Sequence, residues 1–299
     1  MRNMPVIRAS LVGAVIAAAS LSGGTAQAAP GAAQVVKVAK GQRLGVIRGD
    51  GAAWVRDVAP GARWHQVATG VVQLVLDGNR IGVLHDDGVL EVKEGPIWAR
   101  FDMETDHVKQ FDLSGDRVGV VTGRGVAYVK DGSLHAPWRR VAENIKQIAL
   151  TGSRIGLLET NGVARVNEGP VDAPWVHLST LVKQLALSGA RIGIVQEDGL
   201  GHVKEGSVDA LWTNQHTDVV QLDLDGARIA MLRGDGSAYA KEGGLGDPWT
   251  LLAAGVIRLD VSGDRVVTVR SNGETYSKTG TLGASWILNS QNDLDADLS

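Results

Sequence analysis

Arginine recurs at Arg43, Arg80, Arg117, Arg154, Arg191, Arg228 and Arg265, spaced by 37 residues each time with no insertion or deletion. Seven periods of 37 account for 259 of the 299 residues. The recurrence extends beyond the arginine. One copy reads VVQLVLDGNRIGVLHDDGVLEVKEGPIWARF from Val71, and another reads IKQIALTGSRIGLLETNGVARVNEGPVDAPWVHL from Ile145. A chain that repeats itself at this length builds seven copies of one supersecondary unit, each too small to bury its own apolar surface.

Each unit parses into four short strands: an alternating VxQLxL, the RIGVL segment, an xAxVKEG segment and a short aromatic segment. Apolar residues alternate with polar ones at period two, and no part of the unit has helical periodicity. Gly51, Gly88, Gly125, Gly162, Gly199, Gly236 and Gly273 follow the second strand, usually after Asp or Asn, which is the chemistry of a tight turn with positive φ. Short turns make the four strands antiparallel. Seven such sheets packed face to face in a ring bury both faces of every sheet, so the chain is expected to be an all-β, seven-bladed β-propeller with four antiparallel strands per blade.

The first-strand motif occurs eight times for seven places, once as VVKVAK before Arg43 and once as LDADLS at the C-terminal end. The C-terminal copy places Leu294, Ala296 and Leu298 at apolar positions, whereas the N-terminal copy puts Lys37 where Leu74 and Phe111 stand. Closure by the C-terminal strand is therefore favoured. The GQR turn at Gly41 to Arg43 argues the other way, because it reproduces GNR at Gly78 to Arg80.

Residues 1–28 combine Arg2 and Arg8, an apolar run from Ala9 to Leu21 and small residues at Ala26 and Ala28, the pattern of a secretory signal peptide. Residues 29–299 then form a single exported domain, with no other apolar stretch near the roughly 20 residues that a membrane span needs. The formal charge of the chain is −3. Losing Arg2 and Arg8 makes it more negative, and no basic block exists, so neither nucleic acid nor membrane insertion is expected. The absence of Cys removes thiol catalysis, disulfides and thiolate metal sites together. His65, His85, His107, His135, His177, His202 and His216 fall at several repeat positions and form no metal-binding pair at helical spacing. No Gly-x-Ser-x-Gly turn is present. Asp50, Asp87, Asp198 and Asp235 stand where turn chemistry already requires an acceptor, and the Asp223 and Asp225 pair is too short for a calcium loop. The reading is a non-enzymatic monomer with no cofactor and no metal.

Fourteen residues after each recurring Arg stands Asp57, Glu94, Asp131, Glu168, Glu205 or Glu242, with Thr279 in the seventh unit. Strands paired through the intervening turn would bring each acid beside its arginine as an exposed cross-strand ion pair worth about 0 to 1 kcal/mol. The aromatic row Trp64, Phe101, Trp138, Trp175, Trp212, Trp249 and Trp286 suits packing between blades, and Trp98, which is off register, is expected to be exposed.

The middle of the third strand is where the repeat varies. Its occupants are Trp54, Glu91, Tyr128, Arg165, His202, Tyr239 and Tyr276, all polar-tipped or charged, in a row expected to line the grooves between blades. Aromatic faces beside hydrogen-bonding groups suit a sugar, so Trp54, Tyr128, His202, Tyr239 and Tyr276 are the candidate ligand-binding residues.

The stretch from Trp138 to Val166, W-x-x-V-x-x-x-I-K-Q-I-A-L-x-G-x-R-I-G-L-L-x-x-N-G-x-A-x-V, resembles the tectonin repeat, and the likeness covers all seven units. The second strand departs from that repeat in carrying Gly and aliphatic residues where the family has Trp. The resemblance implies a tachylectin-like propeller lectin that binds surface glycans multivalently without enzymatic activity, with Tyr128, Tyr239 and Tyr276 as the residues matched by motif position. Weak equivalent sites would gain avidity on a repetitive glycan. The alternative is a secreted protein-interaction propeller that binds an exported enzyme or other protein through residues particular to a few blades, such as Trp54, Trp98 and Phe101.

Overall fold

The computed structural model describes residues 38–39, 43–59 and 61–298; residues 1–28, read above as an export signal, and Lys37 lie outside them. Seven sheets of four antiparallel strands follow one another, as the period requires, the second gaining a short fifth strand. In the second blade the strands are Val71–Asp77 (innermost), Arg80–His85, Leu90–Glu94 and Asp102–Thr105 (outermost), all antiparallel. The turns do what their residues dictate. Gly51, Gly88, Gly125, Gly162, Gly199, Gly236 and Gly273 all have φ between +77° and +87°. Asp50, Asp87, Asp198 and Asp235 each accept the N–H two residues on, at 2.9–3.0 Å.

The ring closes through the C-terminal strand. Asp293–Leu298 fills the innermost place of the first blade, antiparallel to Arg43–Arg48, with Leu298 opposite Leu44 and Ala296 opposite Val46. Of the competing N-terminal copy, the described residues are Val38–Ala39, which run parallel to Leu76–Asp77 of the second blade.

Blades are joined by more than apolar contact. Gln73, Gln110, Gln147, Gln184 and Gln221 are buried on the innermost strands. Each side-chain amide bonds both the C=O and the N–H of one residue on the next blade's innermost strand. Gln147 donates to the Leu185 carbonyl at 2.7 Å and accepts from the Leu185 N–H at 3.1 Å. Gln184 does the same with Leu222, at 2.7 and 2.8 Å. Two residues further on, Asp112, Asp223 and Asp260 accept the N–H of Leu150, Val261 and Leu298. At the strand end, Asp77 and Asp225 take the turn N–H of Gly115 and Gly263. The acidic pair Asp223 and Asp225 thus belongs to this blade-to-blade ladder.

The apolar contact is equally repetitive. A Cβ on Gly82 would stand 2.5 Å from the Phe111 ring, and one on Gly156 2.6 Å from Leu185. Glycine on the second strand is therefore the socket for the next blade's large residue. In the seventh blade the socket is filled by Val267, and the facing innermost strand carries the small Ala296 in the same core cluster.

The recurring arginines form the expected pairs in six units, among them Arg117–Asp131 at 2.7 Å and Arg191–Glu205 at 3.2 Å, while Arg265 stands opposite Thr279. The acids are exposed as expected, but the arginines are not. The side chains of Arg80, Arg154 and Arg228 are buried, and the guanidinium also donates to a glycine carbonyl of the next blade. Arg80 reaches Gly132 at 2.9 Å, Arg117 reaches Gly169 at 2.7 Å and Arg154 reaches Gly206 at 2.6 Å. The arginine is thus a clasp between blades. Its loss removes a donor from the acid of its own blade and from the glycine carbonyl of the next.

Replacing Gln147 with Leu strands the Leu185 N–H and C=O without partners and is expected to cost about 2–4 kcal/mol of stability. Gly156→Val should cost about 1–3 kcal/mol by overpacking. Urea unfolding of both variants against the parent measures the two effects.

Candidate functional site

Each third-strand candidate lies on a different blade, so the structure brings no two of them into one pocket. What each does is set by the last residue of the neighbouring strand, six positions earlier. Arg48 lies over Trp54 with its guanidinium carbon 4.5 Å from the ring centre, and Arg270 over Tyr276 at 4.4 Å. His85 bonds Glu91 at 3.0 Å, Arg165 bonds Glu159 at 2.8 Å and His202 bonds Gln196 at 3.2 Å. His216 stacks on Tyr239 with ring centres 6.1 Å apart. The Tyr276 hydroxyl donates to Glu274 at 2.9 Å, which holds that phenol above its ordinary range. Most of the row is therefore already engaged within its own blade or by the adjoining connection.

Tyr128 differs. Its six-back neighbour is Thr122, too short to cover the ring, and among the described residues no cation or second ring lies over its face. The consequence is a cleft of about 730 Å³ between the second and third blades, walled by Thr105–His107 on one side and by Val120, Arg124, Tyr128 and Trp138 on the other. Behind it, Lys130 bonds Glu104 of the second blade in a buried ion pair. Burial is the main influence on Glu104 and raises its carboxyl above the usual range, against the pull of Lys130.

Lys130 also explains the aromatic row. Its ammonium stands 4.8 Å from the Trp138 ring centre and donates to the Leu134 carbonyl. Lys204 over Trp212, Lys241 over Trp249, Lys278 over Trp286 and Lys93 over Phe101 repeat the arrangement at 4.3–4.8 Å. Each aromatic is half-buried and packs against a core cluster, as expected, but it also holds a cation at the rim of its blade. Burial, with the charge of Arg43 adding to it, brings the Lys93 ammonium down to about 8. The lysine of the VKEG segment signalled this clamp, since a charged residue in a buried strand register requires a partner.

A second groove lies at the closing seam, between the seventh and first blades. It measures about 360 Å³ and is lined by Arg48, Trp64, Leu288, Asn289, Ser290 and Gln291. Asp293, buried at the start of the closing strand, accepts from the Ser290 hydroxyl at 3.0 Å and lies 4.0 Å from Arg48 Nε. Burial pushes its carboxyl up to about 6, with the hydroxyls of Thr275 and Ser290 and the charge of Arg48 acting in the opposite sense. Trp98 is exposed as its register implied, at 77 % of its full surface.

Among the described residues, no three His, Asp or Glu side chains converge to hold a metal ion, and no helix is long and apolar enough to cross a membrane. No family model matches the chain, and no curated protein does. Solved structures do match. Human WBSCR16 is 13% identical over 78% of this chain and 85% of its own, with a TM-score of 0.61. Hsv2 of Kluyveromyces lactis is 14% identical over 87% and 98%, with a TM-score of 0.59. Prp20p of Saccharomyces cerevisiae, described with its binding to Gsp1p and histones, is 11% identical over 70% and 72%, with a TM-score of 0.57. At these identities the likeness establishes the propeller fold alone, and the resemblance to tectonin holds at the level of a propeller repeat.

The Asp293 carboxyl, near 4 in an unfolded chain, holds its proton up to about 6 in the fold. The folded state therefore binds more protons than the unfolded one between these values, and stability falls as pH rises through that window. Asp293→Val is expected to exceed the parent in stability by about 1–3 kcal/mol at pH 8, with the advantage shrinking as pH falls from 6 to 4. Urea titrations at pH 4, 6 and 8 give the comparison.

Proposed function

We propose that the chain is an exported, non-enzymatic propeller whose partner is a protein. The observation that carries this reading is Trp98. It stands exposed in the loop before the second blade's outermost strand, where the other blades have Gly61, His135, Asp172, Asp209, Gly246 and Gly283. Met103, on the strand that follows, is also exposed, at a position held by Gln66, Arg140, His177 and Asn214 in four other blades. A solvent-facing Trp in the loop, with an exposed Met on the strand that follows, is the composition of a protein-binding hot spot. Precedent exists among the distant neighbours: Prp20p is described as binding Gsp1p and histones and is also seen bound to Kap60, and PorZ is a bacterial surface component of a secretion system.

The second reading, multivalent glycan binding, draws its support from the open cleft beside Tyr128. The uneven engagement of the row counts against seven equivalent weak sites and favours one or two distinct ones.

A photoreactive residue at position 98 and a Trp98→Ala variant, presented to the exported proteins of the source cell, separate the readings. The protein reading expects one dominant cross-linked partner, whose affinity for the Ala variant falls by about 2 kcal/mol, roughly thirtyfold, with an unchanged melting temperature. No partner dependent on Trp98, together with glycan binding that Tyr128→Ala abolishes, would establish the lectin instead.

A further inference from the structure

We infer that the cleft between the second and third blades receives an aromatic side chain flanked by an acidic one, carried on the protein partner. This rests on the protein-binding reading and names the motif that the partner displays.

Two linked replacements make the third blade unlike the other six. In the turn after the second strand, Asp50, Asp87, Asn161, Asp198, Asp235 and Asn272 each accept the N–H two residues on, at 2.9–3.1 Å. The third blade has Arg124 there, and the Thr122 hydroxyl oxygen takes the Val126 N–H instead, at 3.1 Å. Thr122 is also the residue six before Tyr128, where the other blades have Arg48, His85, Glu159, Gln196, Arg233 and Arg270. One threonine thus serves the turn, uncovers the tyrosine ring and releases the turn position for an arginine. Folding does not ask for this, since a turn acceptor and a long side chain coexist in six blades.

What the cleft lacks defines what it takes. Where the row is aromatic elsewhere, a planar group faces the ring: Arg48 on Trp54, Arg270 on Tyr276 and His216 on Tyr239. Tyr128 has no such partner among the described residues, and it shares the cleft with the Trp138 ring, Val120 and Val126. Arg124 is exposed at the rim and, among the described residues, pairs with no acid. By contrast, Arg233 of the sixth blade is held by Asp218 at 3.6 Å and by Asp235 at 3.4 Å. Asp106, on the opposite wall, is bonded to His107 at 3.0 Å and not to Arg124. The ligand therefore supplies a planar group for Tyr128 and a carboxylate for Arg124. A guanidinium is repelled by Arg124, which leaves an uncharged ring. A sugar fits less well, because no side-chain amide lines the cleft and its one carboxylate is engaged, so most ring hydroxyls would lack acceptors. The Gly123 N–H donates to the His107 carbonyl at 2.8 Å, which ties the two walls together around a volume of about 730 Å³.

The test is titration of the folded chain, by NMR and by calorimetry, with the blocked peptides Glu-Trp-Glu, Gln-Trp-Gln, Lys-Trp-Lys and Glu-Ala-Glu and with neutral glucose and galactose oligomers. Saturable binding of Glu-Trp-Glu, at least about fivefold tighter than any of the others and with shifts at Thr105, Val120 and Val126, is expected. Thr122→Arg combined with Arg124→Asp rebuilds the Arg48 and Asp50 arrangement of the first blade. That double variant should keep the melting temperature and weaken the peptide by about tenfold or more. Arg124→Gln alone should bring Glu-Trp-Glu down to the affinity of Gln-Trp-Gln. Asp106→Asn removes the cleft's only acid and should tighten the acidic peptide by about twofold, whereas a cleft built for a basic segment would lose affinity. Trp98→Ala should leave peptide binding unchanged. A cleft that binds no peptide while a Trp98-dependent partner is captured overturns the inference and spares the protein reading. Oligosaccharide binding at Tyr128 in place of peptide, equal binding of Lys-Trp-Lys, or full affinity in the folded double variant overturns it as well.

Discussion

A side-chain amide that bonds both backbone groups of one residue on the next blade is the interaction on which this ring depends. The innermost strands cannot satisfy all their backbone groups within a four-stranded sheet, because the strand nearest the axis has a free edge. Gln147 and its equivalents answer for that edge, bonding Leu185 through N–H and C=O at once. A buried orphan of either kind costs about as much as a whole hydrogen bond contributes. The distance between blades is thereby fixed at one glutamine length, and the other contacts fall into place at that spacing: a leucine into a glycine socket, an arginine onto the neighbouring glycine carbonyl.

This architecture separates framework from site. The framework positions are occupied by the same chemistry in most blades, and two departures have a visible compensating partner. Val267 fills a socket whose facing residue is the small Ala296, and Asn167 stands in a lysine position and bonds the carbonyls of Val171 and Ala173. Departures without compensation are different in kind. Tyr128 beside the short Thr122 and Trp98 in solvent are places where the repeat gave up local satisfaction. They lie in a groove and a loop, so the molecule carries distinct surfaces.

The blade count, the strand order and the Arg–acid pairing were legible because each follows from a fixed spacing, and a period of 37 leaves no freedom in register. Ring closure was legible from Ala296 and Leu298, since a strand that enters a core must present apolar residues at the right parity. The inter-blade reach of Gln, Asp and Arg was not, because a side chain that bonds backbone one repeat away leaves no mark on local pattern. The charges of the buried lysines were visible in the sequence, but their stacking on the rim aromatics needs a loop conformation that the strand period does not encode. The engagement of the third-strand row depends on pairs six residues apart, such as Arg48 with Trp54, that become neighbours only when the hairpin forms. The same holds for the connection before each innermost strand, where His107, Asn144, Leu181 and Asp218 share a positive φ without sharing a chemistry.

The closing strand has a meaning in time as well as in space. Asp293–Leu298 lies some 250 residues along the chain from its partner Arg43–Arg48. A chain emerging N-terminus first therefore exhibits a first blade with a bare edge until six others are finished. During that interval the bare edge can pair with the innermost strand of another molecule as readily as with its own, since every repeat presents the same backbone. The acidic alternation of the closing strand, with Asp293 where the other blades have aliphatic side chains and Asp295 where five have an amide and one has Arg258, distinguishes the legitimate occupant from six near-copies. Ring closure is in this sense an act of self-recognition.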